Sequence, residues 1–551
     1  MIIQKHAPYT ILLIIVSLLA VAPLFSVLTY TFIDEGSLSF ESMQYVLTSN
    51  RILQTMQNSL LLGVYVIAAT TLIALPLAII RTKTSLARHN WLDLVFVIPF
   101  MTPPYIGSMG WILFMQNNGY YEQLFGGKFP FTFFNVAGMV FVMSMHLYPF
   151  LYLMLKNALL RMNGSFLDAT LIYGRNPVWN WIRVVLPLLI SSYVMASLLV
   201  FIKTLGEFGT PATFGKRIGY DVLTTDIHAY LSRWPINISA ATSLSLILLS
   251  VCMVIWYLQN VISRKYSFGI HSGKSGSGSK PKDTSLVRIL SSGYVILILA
   301  LSIGIPYFSI IVTSLLNIRG DGLSLSNLTF THYADLFTIG SSSFKALMNS
   351  INFAFIAATV AAVIGFCAAL IIREGQKKSQ QVLDFTSILS NIVPGIVFVV
   401  GLILFWNTPW FPSTIYNTTW MPIVTYIVLF LPYSVQYTKS ALSQLHSSIH
   451  QSNAVFAHNE WLVLIRVWLP LLGQGILAGW VMTFIISMRE LVGSLLILPP
   501  SVETSATFIY SQFEQGDVSK GMAMAVVTVL LTILCIFVVE SLQRKAMRTK
   551  S

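Results

Sequence analysis

Charge is what this sequence has least of. Asp, Glu, Lys and Arg make up 10% of its 551 residues, where soluble domains carry about 25%. At 55% hydrophobic, the chain has too little polar surface to cover a soluble core, which excludes an ordinary globular protein. Cysteine is nearly absent. Cys252, Cys367 and Cys535 lie far apart inside apolar runs, which excludes a disulfide scaffold and reads as buried small hydrophobes. Acids are scarcer than bases, 20 against 33, and the interiors of the apolar runs are almost free of them. A secondary transporter driven through a carboxylate deep in a span therefore fits poorly. Neither a catalytic triad nor zinc-ligand spacing is present, so no enzyme acting alone is indicated.

What is present is a series of apolar runs near the roughly 20 residues that cross hydrocarbon as a helix. They predict an all-α polytopic membrane protein of about twelve transmembrane helices. The expected spans are 10–32, 56–80, 92–115, 133–155, 184–206, 239–261, 289–315, 346–372, 383–408, 419–438, 467–488 and 521–543. Ala20-Val21-Ala22 behind Lys5 imitates a signal-peptidase site, but the apolar run continues to Phe32 and predicts a retained first span. The net charge of +13 is no nucleic-acid signature, because its carriers alternate loop by loop. Arg81, Lys83, Lys156, Arg161, Arg264 and Lys265 fall on one side, and Asp34, Glu41, Glu122, Asp321 and Glu514 on the other. This asymmetry follows the positive-inside rule, placing both termini in the cytoplasm with membrane lipid as partner and no nucleic acid.

One segment occurs twice on the basic side. The first copy passes through Asp168-Ala169-Thr170, Gly174, Arg183 and Leu186-Pro187 to Glu207. The second passes through Gln451-Ser452-Asn453, Ala457, Arg466 and Leu469-Pro470 to Glu490. Their offset is constant, since 466 − 183, 470 − 187 and 490 − 207 all give 283. Upstream, Asn58-Ser59 answers Asn349-Ser350, and Pro103, Gly110 and Phe114 answer Pro394, Gly401 and Phe405, at an offset of 291 (349 − 58, 394 − 103). The difference of eight places extra length in the first half's external loop around residues 116–131. The chain therefore divides into a first six-helix half (1–266), a flexible Gly/Ser-rich cytoplasmic linker (267–287) and a second six-helix half (288–551). Gly273-Lys274-Ser275 in the linker lacks the upstream glycine and strand of a phosphate-binding loop. Six spans per half make the halves parallel, related by a pseudo-two-fold along the membrane normal rather than inverted.

Residues 156–183 are too polar to cross a bilayer, yet Leu159, Leu160, Phe166, Ala169 and Ile172 keep helical spacing. Such a stripe suits a groove. Gly174 permits a break between short helices, and Pro187 opens the next span where its missing N–H costs least. Two copies in register predict a pseudo-symmetric unit held from the cytoplasm by a two-fold partner.

These residues resemble the membrane subunits of binding-protein-dependent ABC importers. Their cytoplasmic Glu-Ala-Ala loop carries a Gly four residues after the last Ala and a Leu-Pro whose Pro lies thirteen residues further on. Asp168-Ala169-Thr170, Gly174 and Pro187 keep that pattern with Asp for Glu, while Gln451-Ser452-Asn453, Ala457 and Pro470 keep the spacing and not the letters. A finer resemblance is to the fused permeases of the ferric-iron import group. Thr204-Leu205-Gly206-Glu207-Phe208-Gly209-Thr210-Pro211 carries it in the first half, and Met488-Arg489-Glu490-Leu491 with Leu498-Pro499-Pro500 in the second. Polyamine, thiamine and aminoethylphosphonate permeases share much of this pattern.

The resemblance implies a non-catalytic transmembrane subunit of an ATP-driven importer in a bacterial inner membrane. It implies two copies of a cytoplasmic ABC ATPase seated on the two loops, and an extracytoplasmic solute-binding protein outside. ATP and Mg would belong to the partner ATPase, with no cofactor or firm metal site on this chain. Ferric iron is the first solute implied, with a polyamine, phosphonate, thiamine or sugar-phosphate as the alternative. A secondary transporter is the competing class.

Glu207 and Glu490 hold equivalent positions at the outer ends of the fifth and eleventh expected spans. A charge at mid-bilayer costs roughly 2.5–3.5 kcal/mol on insertion scales, and less near an interface. Lys203 lies one helical turn before Glu207, and Arg489 adjoins Glu490. Two readings stand side by side: local ion pairs that let the span ends sit at headgroup level, or a carboxylate pair lining the translocation pathway.

Overall fold

The computed structural model describes residues 6–34, 36–161, 183, 185–265, 284–374, 377–409, 414–445 and 463–548. The protein is an all-α polytopic membrane protein; the only sheet among the described residues is one short antiparallel pair, Ile33–Asp34 with Ser37–Leu38. The principal helices are α1 (His6–Phe32), α2 (Asn50–Lys83), α3 (Trp91–Met101), α4 (Pro104–Met115), α5 (Val136–Arg161) and α6 (Leu186–Leu205). There follow α7 (Leu223–Ser232), α8 (Ile238–Lys265), α9 (Ser285–Leu299), α10 (Ile305–Leu315), α11 (Ser342–Glu374) and α12 (Lys377–Ile392). The last are α13 (Gly395–Trp406), α14 (Trp420–Ser443), α15 (Leu469–Met488), α16 (Val492–Ile497), α17 (Ser505–Gln515) and α18 (Val518–Arg548).

Among the described residues nine helices are long and apolar enough to cross a membrane, or up to eleven if each of two bent pairs is one span. The bent pairs are where the expected straight spans 92–115 and 383–408 differ. The first is α3 and α4, turned by 88°; the second is α12 and α13, turned by 110°. Proline is the cause. Pro103 and Pro394 share φ −55° with ψ 134° and 138°, so the chain leaves the helical region at the same repeat position in each half. The remaining expected span, 419–438, is the 24-residue α14, which carries Pro432 and enough Tyr and Gln to stand outside the nine.

The chain forms two compact units, one of residues 50–226 and 250–312, the other of 1–49, 227–249 and 313–551. In the first, α2, α5 and α6 pack on one another, and α9 lies against α2. In the second, α11, α14 and α15 pack likewise, and α1 lies on α12 and α13. The first helix of each sequence repeat thus packs with helices of the other repeat. Without a hydrophobic drive between helices in lipid, small residues bring backbones together. Gly365 and Gly479 both meet Ser434, whose hydroxyl is 3.0 Å from that of Thr483.

Two glycines make close backbone approaches between one repeat and the other. A Cβ on Gly110 would lie 2.7 Å from the carbonyl oxygen of Pro306, and one on Gly401 would collide with that of Pro23. Gly110 and Gly401 are repeat equivalents, and Pro306 and Pro23 play the same part against them. Pro306 follows a π-turn, Ala300–Gly304, which absorbs the hydrogen bond a helix loses at proline. Gly401→Leu is therefore expected to cost about 1–3 kcal/mol by overpacking. It should reduce the yield of monodisperse detergent-purified protein on gel filtration, while Gly107→Ala, with open space around it, leaves the yield unchanged.

Candidate functional site

Glu207 and Glu490 each stand two residues past the end of their span, α6 and α15. The Glu207 carboxylate accepts the Thr210 N–H at 3.0 and 3.2 Å, and Glu490 Oε1 accepts the Gly493 N–H at 2.9 Å. Thr210 and Gly493 are again 283 apart (493 − 210). Each carboxylate therefore caps the short helical turn that follows, Pro211–Gly215 or α16, by accepting an amide that the turn leaves open. Among the described hydrogen bonds and ion pairs, none joins Glu207 to Lys203; Arg489 directly precedes Glu490. A backbone cap was not among the sequence expectations, although the common i to i+3 spacing was there to be read.

These turns are fastened to the broken spans. Thr213 donates to Ser108 of α4 at 2.9 Å, while Ser494 bonds the Glu490 carbonyl at 2.7 Å and meets the Tyr426 hydroxyl of α14 at 2.6 Å. The repeated Asn-Ser pairs do one job twice. Asn58 Nδ2 donates to the Asp221 carbonyl at 3.1 Å and Asn349 Nδ2 to the Glu503 carbonyl at 2.9 Å. Ser59 Oγ accepts the Leu223 N–H at 2.8 Å and Ser350 Oγ the Ser505 N–H at 2.7 Å. Each pair ties a long span, α2 or α11, to the start of the outer helix α7 or α17.

Of the residues of the repeated segment singled out above, Asp168, Ala169, Gly174, Gln451, Ser452 and Ala457 lie outside the described residues. Arg183 and Pro187 are exposed at the entry to α6, and Arg466 and Pro470 at the entry to α15. Arg466 belongs to a π-turn, Leu464–Trp468, whose Trp468 is buried beneath the Arg373 guanidinium at 5.8 Å. Arg373 also donates to the Leu442 carbonyl at 3.1 Å, closing the end of α14.

Two acids were missed. Asp93, in the first turn of α3, accepts Lys156 Nζ of α5 at 2.7 Å, bonds the Tyr152 hydroxyl and takes a bidentate Arg81 at 3.1 and 3.0 Å. Asp384 of α12 accepts Lys439 Nζ of α14 at 2.6 Å. Asp93 and Asp384 share the 291 offset and Lys156 and Lys439 the 283 offset (384 − 93, 439 − 156), so the repeat itself was the signal. Beside the first break, Thr102, Ser108, Trp111, His146, Ser302 and Tyr307 help line a cavity with about 20 Å³ of free space, room for one water.

If the carboxylate at 490 serves as a cap, shape matters more than charge. Glu490→Ala forfeits a charge-assisted hydrogen bond worth about 1.5–3 kcal/mol and should lower the thermal midpoint of the purified protein. Glu490→Gln keeps an acceptor oxygen and should stay much closer to the parent. Equal midpoints for the two variants would remove the capping role.

A sequence model of the family described as binding-protein-dependent transport system inner membrane component matches residues 361–548. The chain is 24% identical over 534 residues to the ferric transport system permease protein FbpB of Actinobacillus pleuropneumoniae, covering 95% of this chain and 76% of that one. It is 21% identical to the Fe(3+)-transport system permease protein FbpB 2 of Haemophilus influenzae, over 89% of this chain and 90% of the relative. The molybdenum transport system permease protein ModB of Mycobacterium bovis is 30% identical over 204 residues, 36% of this chain and 76% of the relative.

Proposed function

The chain belongs to the inner membrane components of binding-protein-dependent transport systems, and from that premise we propose that it carries ferric iron into the cell. The observation that carries the choice of solute is coverage. The similarity to ferric permeases extends over 95% and 89% of this chain, while that to the molybdenum permease extends over 36%. In this reading an extracytoplasmic binding protein hands iron to the outer loops, and a cytoplasmic dimer of ABC ATPase subunits supplies the energy. Both termini face the cytoplasm, and the sequence halves 1–266 and 288–551, joined by 267–287, are the two arms of the permease.

Coupling follows from the repeat. The segments carrying Asp168, Ala169 and Gly174, and Gln451, Ser452 and Ala457, seat one ATPase subunit each. Arg183 and Pro187, and Arg466 and Pro470, mark the entries to the spans they push. Closure of the ATPase dimer on ATP and Mg then moves both segments together, a rigid-body input to a two-state membrane unit. Glu207 and Glu490 shape the turns at the other ends of those spans, with Lys203 and Arg489 beside them. Capped turns of this kind hold carboxylate oxygens near the path of a hard cation without enclosing it.

The deciding experiment measures ATP hydrolysis by the permease–ATPase complex in lipid vesicles with the binding protein encoded beside it. The iron-loaded binding protein is expected to stimulate hydrolysis well above the level with the empty protein. Stimulation only by a polyamine-, phosphonate- or thiamine-loaded protein would discard iron and keep the importer.

A further inference from the structure

The two Asp–Lys contacts join the helix that precedes each docking segment to a broken span. Helix α5 runs directly into residues 162–182 and α14 into 446–462, and Lys156 and Lys439 lie within the last two turns of those helices. Their partners, Asp93 and Asp384, are on the other element of the joint. Each lies ten residues before the proline that breaks its span (103 − 93, 394 − 384). Beyond each break the chain reaches a capped glutamate turn: α4 through the Ser108–Thr213 hydrogen bond, α13 through Val399 against Gly493. A continuous physical path therefore runs from the last turns of α5 and α14 to each outer turn, and an ion pair is its first step.

We propose that the Asp93–Lys156 and Asp384–Lys439 pairs are positioning links that carry movement of α5 and α14, the helices leading into the docking segments, to the broken span each pair touches. The inference rests on the docking role proposed above. Stability alone gives the second pair little reason to exist. Lys439 and Asp384 are 37% and 34% exposed, and a pair this wet adds little to folding, whereas Lys156 and Asp93 are mostly buried at 16% and 21%. What they supply is register: a short contact between two rigid helices at a fixed distance from a hinge.

The two links are built differently. In the first, Arg81 from α2 and Tyr152 from α5 also hold Asp93, and Arg81 further donates to the Leu86 and Ala87 carbonyls. The repeat equivalents of Arg81 and Tyr152 are Ile372 and Val435, which join a buried apolar cluster with Leu12, Val16 and Leu383. Asp384 thus depends on Lys439 for its cross-helix ion pair, whereas Asp93 keeps a hydroxyl from α5 when Lys156 is lost. The second link is the more fragile.

The test uses the intact permease–ATPase complex with its binding protein in lipid vesicles. Nitroxide labels at Gln381→Cys and Ser440→Cys, both exposed positions, report the α12–α14 distance after Cys252, Cys367 and Cys535 are replaced by alanine. With Lys439 present, one narrow distance should persist between nucleotide-free and vanadate-trapped states. In Lys439→Met the distribution should shift on trapping, and ATP spent per iron accumulated should rise about fivefold. Exchanging the charges, Asp384→Lys with Lys439→Asp, should restore both readouts. In the first link, Lys156→Met alone should change the ratio little, and Lys156→Met with Tyr152→Phe should raise it as Lys439→Met does. An unchanged distance and ratio in a monodisperse Lys439→Met complex would overturn the proposal, as would failure of the exchange to rescue. If the parent complex accumulates no iron, the solute assignment fails and the label distances alone decide the links.

Discussion

A bilayer core offers no water to a backbone amide, and this fold depends on how the chain breaks two helices under that constraint. At Pro103 and Pro394 the donor that would go unpaired does not exist, because proline has none. Bends of 88° and 110° follow, and each rebuilt helix is then held by its glycine against a proline carbonyl. Polar lining beside the first break, with space for one water, serves the same end. Irregular backbone survives at membrane depth only when enclosed in this way.

Around each break the same parts recur. A capped glutamate turn lies beyond the break, an Asn-Ser tie holds the helix that follows, and an Asp–Lys contact holds the start of the broken span. The glutamates also accept backbone N–H groups from the turns that follow them, a role neither sequence reading named. A carboxylate that accepts a backbone N–H at the start of a turn satisfies a donor that the turn leaves open. The halves differ where the first uses polar groups and the second uses aliphatic packing, as Arg81 and Tyr152 against Ile372 and Val435 illustrate.

The all-α membrane class was legible because apolar length and scarce charge leave no other solution in lipid. The repeat was legible from residue identities at constant offsets, and it located Pro103, Pro394, Gly110 and Gly401 before their roles were visible. What it did not convey was direction. A Pro inside an apolar run is compatible with a kinked span or with a sharp reversal, and packing of Gly401 on Pro23 selects the latter. Nor does a sequence say that the first helix of one repeat will pack with the other, since hydropathy is blind to partners. Asp93 and Asp384 escaped notice because a single acid near a span end looks like a solvated charge until its lysine is in place.

The central claim is that two diverged segments each seat one ATPase subunit. Site-directed crosslinking tests it most directly, with Gly174→Cys and Ala457→Cys introduced singly and together into the cysteine-free chain in complex with its ATPase. Each single variant should yield one permease–ATPase adduct, and the double variant an adduct with two ATPase subunits. Adducts from neither position, with the complex intact, would contradict the account.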